Sequence, residues 1–182
     1  MLKTKKHVGQ LLEVYDIHGS KGKARLSVDG KIIFTTEVYL GKNDVGKTGE
    51  GDGKTPAGTL RPLSAFGIKP DPGTSMPYIS VNQNTCACDE DCEYYNKIID
   101  LAELGRHYGG EHMYSCRPQY NYGIVTDFNK ECIYPRGSAI FIHVKGPDPY
   151  TGGCIAFDED SMVQILRLCD LSLVISVKPQ IY

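Results

Sequence analysis

Short apolar-rich runs separated by Gly, Pro and Asp dominate this chain, and such runs predict strands. Residues 10–17 (QLLEVYDI) are the first, residues 19–23 (GSKGK) read as a loop, and residues 24–28 (ARLSV) meet residues 31–40 (KIIFTTEVYL) across Asp29-Gly30. Asp-Gly between two such runs predicts a hairpin, because both central residues of a type I′ turn need positive φ. Residues 78–81 (YISV), 120–128 (YNYGIVTDF) and 172–177 (SLVISV) predict further strands, and Pro179 limits the last. Residues 137–144 (GSAIFIHV) are nearly all apolar and β-prone, which predicts a strand buried on both faces with His143 near its C-terminal end.

Helical spacing is scarce. Ile98, Ile99, Leu101 and Leu104 predict a short helix within residues 94–104. Asp158-Glu159-Asp160-Ser161 reads as a helix start, since acidic groups complement the positive end of the helix dipole, and Met162, Ile165, Leu166 and Cys169 then repeat on one face. The expectation is a mainly β chain with one or two short helices, folding as a single domain over residues 1–182 without linker or repeat.

Composition narrows the function classes. With 182 residues and 41% hydrophobic content, one domain can bury roughly 70% of its unfolded surface. A net charge of −2 with dispersed Lys and Arg leaves no electrostatic footprint for nucleic acid or an anionic membrane. No apolar run is long enough to span a bilayer. The N-terminal MLKTKKHVGQ has the charge of a secretion signal without its apolar stretch. Seven cysteines, five of them between Cys86 and Cys132, exceed what a reduced cytosolic domain carries without metal, so an exported protein lacking its signal segment is expected. Cys86, Cys88 and Cys92, followed by His107, His112 and Cys116, make a poor zinc spacing. Disulfides are the preferred reading and no metal or other cofactor is expected; the pairing is not readable.

Residues 41–48 match the phosphate-loop pattern of two spaced glycines followed by Lys47 and Thr48. A phosphate loop must open a helix there. Gly49, Gly51, Gly53, Pro56 and Gly58 follow instead, so the match is coincidental and residues 50–62 read as a long irregular loop.

The candidate chemistry lies in residues 140–157 (IFIHVKGPDPYTGGCIAF). Cys154 sits on a glycine turn and His143 on a neighbouring strand, a potential thiol and base. Gly152 and Gly153 permit close approach of a substrate carbonyl, and N–H groups at Gly153 and Cys154 can face an oxyanion. On spacing alone a Cys and a His buried as core residues explain the stretch equally well.

Residues 50–60 (EGDGKTPAGTL), 137–144 and 150–157 (YTGGCIAF), in that order, resemble the L,D-transpeptidase catalytic domain family, also called YkuD-like. The resemblance extends more weakly to residues 94–96 (YYN), to Glu111 and Met113, and to residues 120–129 (YNYGIVTDFN). It implies a β-sandwich or barrel that acts on peptidoglycan stem peptides, with Cys154 as nucleophile and His143 as base. It further implies that the Thr151 carbonyl orients His143, that Gly153 with Cys154 forms the oxyanion hole, and that Gly152 and Tyr122 contact substrate. Gly152 replaces a second His of the best-studied branch, and Ala156 and Phe157 stand where that branch has Arg or Asn; a branch with Thr-x-Gly-Cys is more similar. The implied activity is transfer of a stem-peptide acyl group from a Cys thioester to an amine. The alternatives are a carboxypeptidase or other cysteine hydrolase using water, and a non-catalytic wall-binding module in which Cys154 is structural.

Overall fold

The computed structural model describes residues 9–179. It begins as the alternation predicts, with strands β1 (Gln10–His18), β2 (Lys21–Val28) and β3 (Lys31–Tyr39) forming an antiparallel meander. Asp29 (φ 50°) and Gly30 (φ 76°) both take the left-handed backbone that the Asp-Gly hairpin requires. One correction applies here. Residues 21–23, expected in a loop, open β2, because Gly22 fits beneath Ile17 and Leu40, where an added Cβ would meet side-chain atoms at 3.2–3.4 Å.

The remaining elements follow in chain order: β4 (Gly58–Leu60), β5 (Pro62–Gly67), β6 (Tyr78–Ser80), β7 (Thr85–Cys88), β8 (Ile98–Asp100), α1 (Leu101–Leu104), β9 (Gly110–His112), β10 (Gly123–Thr126), β11 (Phe141–Val144), β12 (Ile155–Phe157), α2 (Glu159–Leu168) and β13 (Val174–Val177). Ten strands form one mixed sheet in the order β4-β13-β1-β2-β3-β12-β11-β10-β5-β6. Strands β8-β7-β9 form a separate small sheet. The chain is mainly β, as expected.

The main core lies on one face of the large sheet. Leu12, Val14, Leu26, Val38, Ile142, Ile155 and Phe157 meet Met162, Ile165 and Leu166 from the apolar face of α2. Each such side chain gains roughly 1.5–3 kcal/mol from burial. Helix α2 starts where its sequence directs, since the Asp158 carboxylate accepts the Ser161 N–H at 2.9 Å and the Thr36 hydroxyl at 3.1 Å. Cys169 caps its end as a core residue, 2% exposed.

The expected helix in residues 94–104 shrinks to Leu101–Leu104. Asn96 has φ +60°, and Ile98 and Ile99 pair with Ala87 and Cys86, so tertiary pairing overrides the helical spacing. The predicted strand over residues 120–128 narrows to Gly123–Thr126, preceded by a 3₁₀ turn at Gln119–Asn121. The disulfide framework is not formed. All seven cysteines are free thiols, and the Cys88 and Cys92 sulfurs stand 3.5 Å apart. Cys86 and Cys88 alternate along one short strand, Cys116 faces the cleft described below and Cys132 occupies a turn with φ +55°. Among the described residues, no group of three or more His, Cys, Asp or Glu is arranged to hold a metal ion, and no helix is long and apolar enough to cross a membrane. The N-terminal segment read for a secretion signal lies almost wholly outside the described residues.

Candidate active site

Strand β11 divides its side chains between two environments. Ile142 and Val144 point into the main core, whereas Phe141 and His143 point to the opposite face, as two-residue alternation requires. Strand β12 runs parallel beside it, pairing Ile142 with Ile155 and His143 with Ala156. Ile155 and Phe157 share the main core, and Cys154 joins Phe141, Tyr120, Phe66 and Ala87 on the other side. Sheet register therefore delivers His143 and Cys154 to one face, with His143 6% and Cys154 9% exposed.

Both residues line a cleft of about 450 Å³. Its floor is the large sheet and the turn at residues 151–154, and the small sheet supplies a wall through Ala87 and Glu111. The glycine-rich loop contributes Lys42, Lys47, Glu50, Gly51 and Gly53.

That loop is held by one carboxylate. Asp52 accepts hydrogen bonds from the Lys47 ammonium (2.9 Å) and from the N–H groups of Thr48 (2.7 Å), Lys54 (3.0 Å) and Gly49 (3.1 Å). These donors hold its carboxyl far below the usual carboxylate range, against the opposing effect of burial. Lys47, whose side chain is 2% exposed, is thus the buried partner of Asp52 and no part of a phosphate loop.

Cys154 is anchored by backbone. Its sulfur accepts the Phe141 N–H at 3.3 Å and donates to the Ala139 carbonyl at 3.2 Å. Burial pushes the thiol up to about 12; the Phe141 N–H and Lys47 oppose this, while Glu111 adds to it. The His143 imidazole is pushed down to about 4, again by burial. The resting pair is therefore a neutral thiol and a neutral imidazole. Nδ1 of His143 lies 2.7 Å from the Val144 carbonyl oxygen. A carbonyl only accepts, so Nδ1 carries the proton and Nε2 presents its lone pair.

The orienting role expected of Thr151 changes accordingly. Val144, the residue after His143, supplies the carbonyl that faces the ring, and the Thr151 carbonyl accepts the Lys42 N–H at 3.0 Å. Thr151 acts through its hydroxyl, which accepts the Gly153 N–H (3.0 Å) and donates to the Cys154 carbonyl (2.7 Å). The Thr55 hydroxyl reaches the same carbonyl at 3.4 Å and accepts the Gly41 N–H at 2.8 Å. The Gly153 N–H expected to face an oxyanion is thus engaged in the resting turn. Gly153 itself is obligatory there, with φ +148° and the Lys54 carbonyl oxygen 2.8 Å from where a Cβ would be. Gly152 is exposed, has open space around it and lines the cleft, so a substrate chain can approach its backbone.

Tyr122 does not reach the cleft. It packs against the main core, with the Lys69 ammonium 5.8 Å from its ring centre. The 3₁₀ turn at Gln119–Asn121 breaks the alternation that would put residues 120 and 122 on one face, and Tyr120 lines the cleft instead. Tyr120 is 4% exposed, packs edge-on against His143 with ring centres 5.5 Å apart, and donates its hydroxyl to Glu111. Sequence reasoning passed over Tyr120, Thr55 and Lys47 as site residues; the signal for Thr55 and Lys47 was the loop itself, and for Tyr120 its place at the start of the resembling stretch 120–129.

A family model, the L,D-transpeptidase catalytic domain (YkuD), matches residues 15–177. The chain belongs to this family. No curated protein matches the chain. Among solved structures, it is similar to the helical cell shape determining protein Pgp2 from Campylobacter jejuni, with 17% identity and a TM-score of 0.48. That match covers 94% of this chain and 49% of Pgp2, so the chain spans about half the length of that protein. Within this L,D-transpeptidase domain, Cys154 and His143 line one cleft, which Cys116 also borders.

Proposed function

We propose that this L,D-transpeptidase domain forms a thioester between Cys154 and the acyl part of a peptidoglycan stem peptide, and passes that acyl group to an amine. The observation that carries the reading is that a buried thiol, just before β12, and an imidazole on the neighbouring parallel strand β11, with its Nε2 unprotonated, line one cleft. Because burial disfavours both thiolate and imidazolium, the proton leaves Sγ for Nε2 as the sulfur attacks the carbonyl, so that charge develops only in the transition state. The imidazolium returns the proton to the departing amine, and a thioester remains on Cys154. The Thr151 and Thr55 hydroxyls on the Cys154 carbonyl hold the nucleophile's backbone while the sulfur changes partners. Gly152 leaves room for the stem peptide along the turn.

A substrate of this kind lies outside the cytoplasmic membrane, so export of the protein belongs to the same proposal. The residues fit acyl transfer without a cofactor, since nucleophile and base both come from the chain. The test is incubation with a tetrapeptide stem, or with a carbapenem as acyl donor, followed by mass spectrometry of the intact protein. An adduct on Cys154 is expected. An adduct of equal yield in Cys154→Ala would overturn the assignment. Product analysis with and without an amine acceptor then separates transfer from hydrolysis.

A further inference from the structure

We propose that Glu111 is a second, acceptor-side base of this cleft, which receives a cationic amine and takes its first proton. The inference rests on the transfer reading above. Glu111 stands on β9 opposite Ala87 of β7, and Ala87 packs in the same cluster as Cys154, Tyr120 and Phe141. The small sheet thus carries Glu111 to the wall facing the nucleophile, where it lines the cleft.

Its position is held from beneath. The buried Tyr120 hydroxyl donates to Oε2 of Glu111, and the same Tyr120 ring packs edge-on against His143. One aromatic residue therefore spaces the carboxylate from the imidazole and fixes both. With Oε2 held by Tyr120, Oε1 is the oxygen for a ligand, and Glu111 remains largely exposed to the cleft. The carboxylate acts on the nucleophile, disfavouring the Cys154 thiolate. That is adverse for making the thioester and useful afterwards, because the same field attracts a cation to the acyl group.

The chemistry needs such a group. An amine acceptor at neutral pH is an ammonium and must lose two protons to become an amide nitrogen, whereas His143, neutral after acylation, takes one. Glu111 accepts the first proton, converting the ammonium to a free amine. The amine nitrogen then bonds to the thioester carbonyl carbon. His143 takes the second proton from that nitrogen and delivers it to Sγ as the carbon–sulfur bond breaks. Glu111 releases its proton to water, and the products are the new amide, the free thiol and one proton.

The experiment compares wild type and Glu111→Gln with one acyl donor and two acceptors at pH 7: an alkylamine, which is cationic there, and hydroxylamine, which is uncharged. Intact-protein mass spectrometry of the Cys154 thioester gives the acylation step, and serves as the folding control. Transfer to the alkylamine should fall by about 10²-fold, with a higher KM for that amine and more hydrolysis, and transfer to hydroxylamine should fall far less. Equal losses with both acceptors, or no loss with either, would overturn the role of Glu111 alone. Absence of any thioester in the wild type would instead overturn the transfer reading and this inference with it.

Discussion

At the scale of single residues, burial sets the chemistry of His143 and Cys154, and it leaves a measurable pH signature. The His143 imidazole has an ordinary value of 6.5 and a folded value of about 4. Between those values the unfolded chain binds the extra proton, so stability is complete above pH 6.5 and declines as pH falls towards 4, by about 3 kcal/mol. Urea denaturation at pH 7 and pH 4.5 should show this decline in the wild type and a much smaller one in His143→Gln; an unchanged decline would refute it. The thiols of Cys154 and Cys169, both pushed up from 9 to about 12 by burial, work in the opposite direction. Their contribution is complete below pH 9 and is lost as pH rises towards 12. Iodoacetamide labelling of Cys154 should accordingly keep accelerating from pH 7 to pH 11. Thr151→Val removes the acceptor for the Gly153 N–H and a donor to the Cys154 carbonyl. A stability loss of about 1–3 kcal/mol and slower acylation of Cys154 are expected, and unaltered acylation kinetics would count against the buttressing role.

At the scale of elements, the loop over residues 41–55 is ordered by Asp52 and laid against the turn at residues 151–154. Gly41 bridges Thr151 in parallel, and the Leu40 carbonyl accepts the Thr151 N–H at 2.8 Å. Gly41 must lack a side chain, since a Cβ would stand 2.4 Å from the Gly53 carbonyl oxygen. Asp52→Ala strands the Lys47 ammonium, whose side chain is 2% exposed, and should cost about 3–5 kcal/mol. Calorimetry should register this as a lower Tm, and adding Lys47→Met should recover much of it. A double variant no more stable than Asp52→Ala would mean that the carboxylate acts through its backbone contacts alone. Gly153→Ala combines a forbidden φ with a 2.8 Å clash against Lys54, so loss of acylation with a retained β-rich circular dichroism spectrum is expected.

At the scale of the molecule, the cleft exists because two sheets meet across it. The large sheet presents Cys154 and His143, and the small sheet supplies Ala87 and Glu111. Tyr95 ties them further: its hydroxyl, 2.5 Å from Glu50, also accepts the Gly137 N–H at 2.9 Å. Contacts of this kind predict that both sheets unfold together. Thermal unfolding followed by tyrosine fluorescence and by far-ultraviolet circular dichroism should give coincident transitions; two separated transitions would mean that the small sheet melts on its own.

Local rules account for much of the structure. The Asp29-Gly30 hairpin, the doubly buried β11, the Asp158 cap of α2 and the terminal β13 each follow from nearest-neighbour chemistry: a backbone demand for positive φ, an apolar run, a carboxylate at a helix start. The ordered motifs around Gly53, His143 and Cys154 likewise pointed to the family and to the Cys and His that line the cleft. Folding alone decided what depends on partners distant in sequence. Ile98 and Ile99 became a strand because β7 offered them backbone partners, and Cys86 and Cys88 are free thiols at alternate positions of that strand rather than members of the expected disulfides. The carbonyl facing His143 proved to be that of Val144, and Tyr120 displaced Tyr122 from the cleft, because a single 3₁₀ turn rotates the chain between them. Which atoms surround a nucleophile is a property of register and packing, and neither is written at the positions of the residues that carry the chemistry.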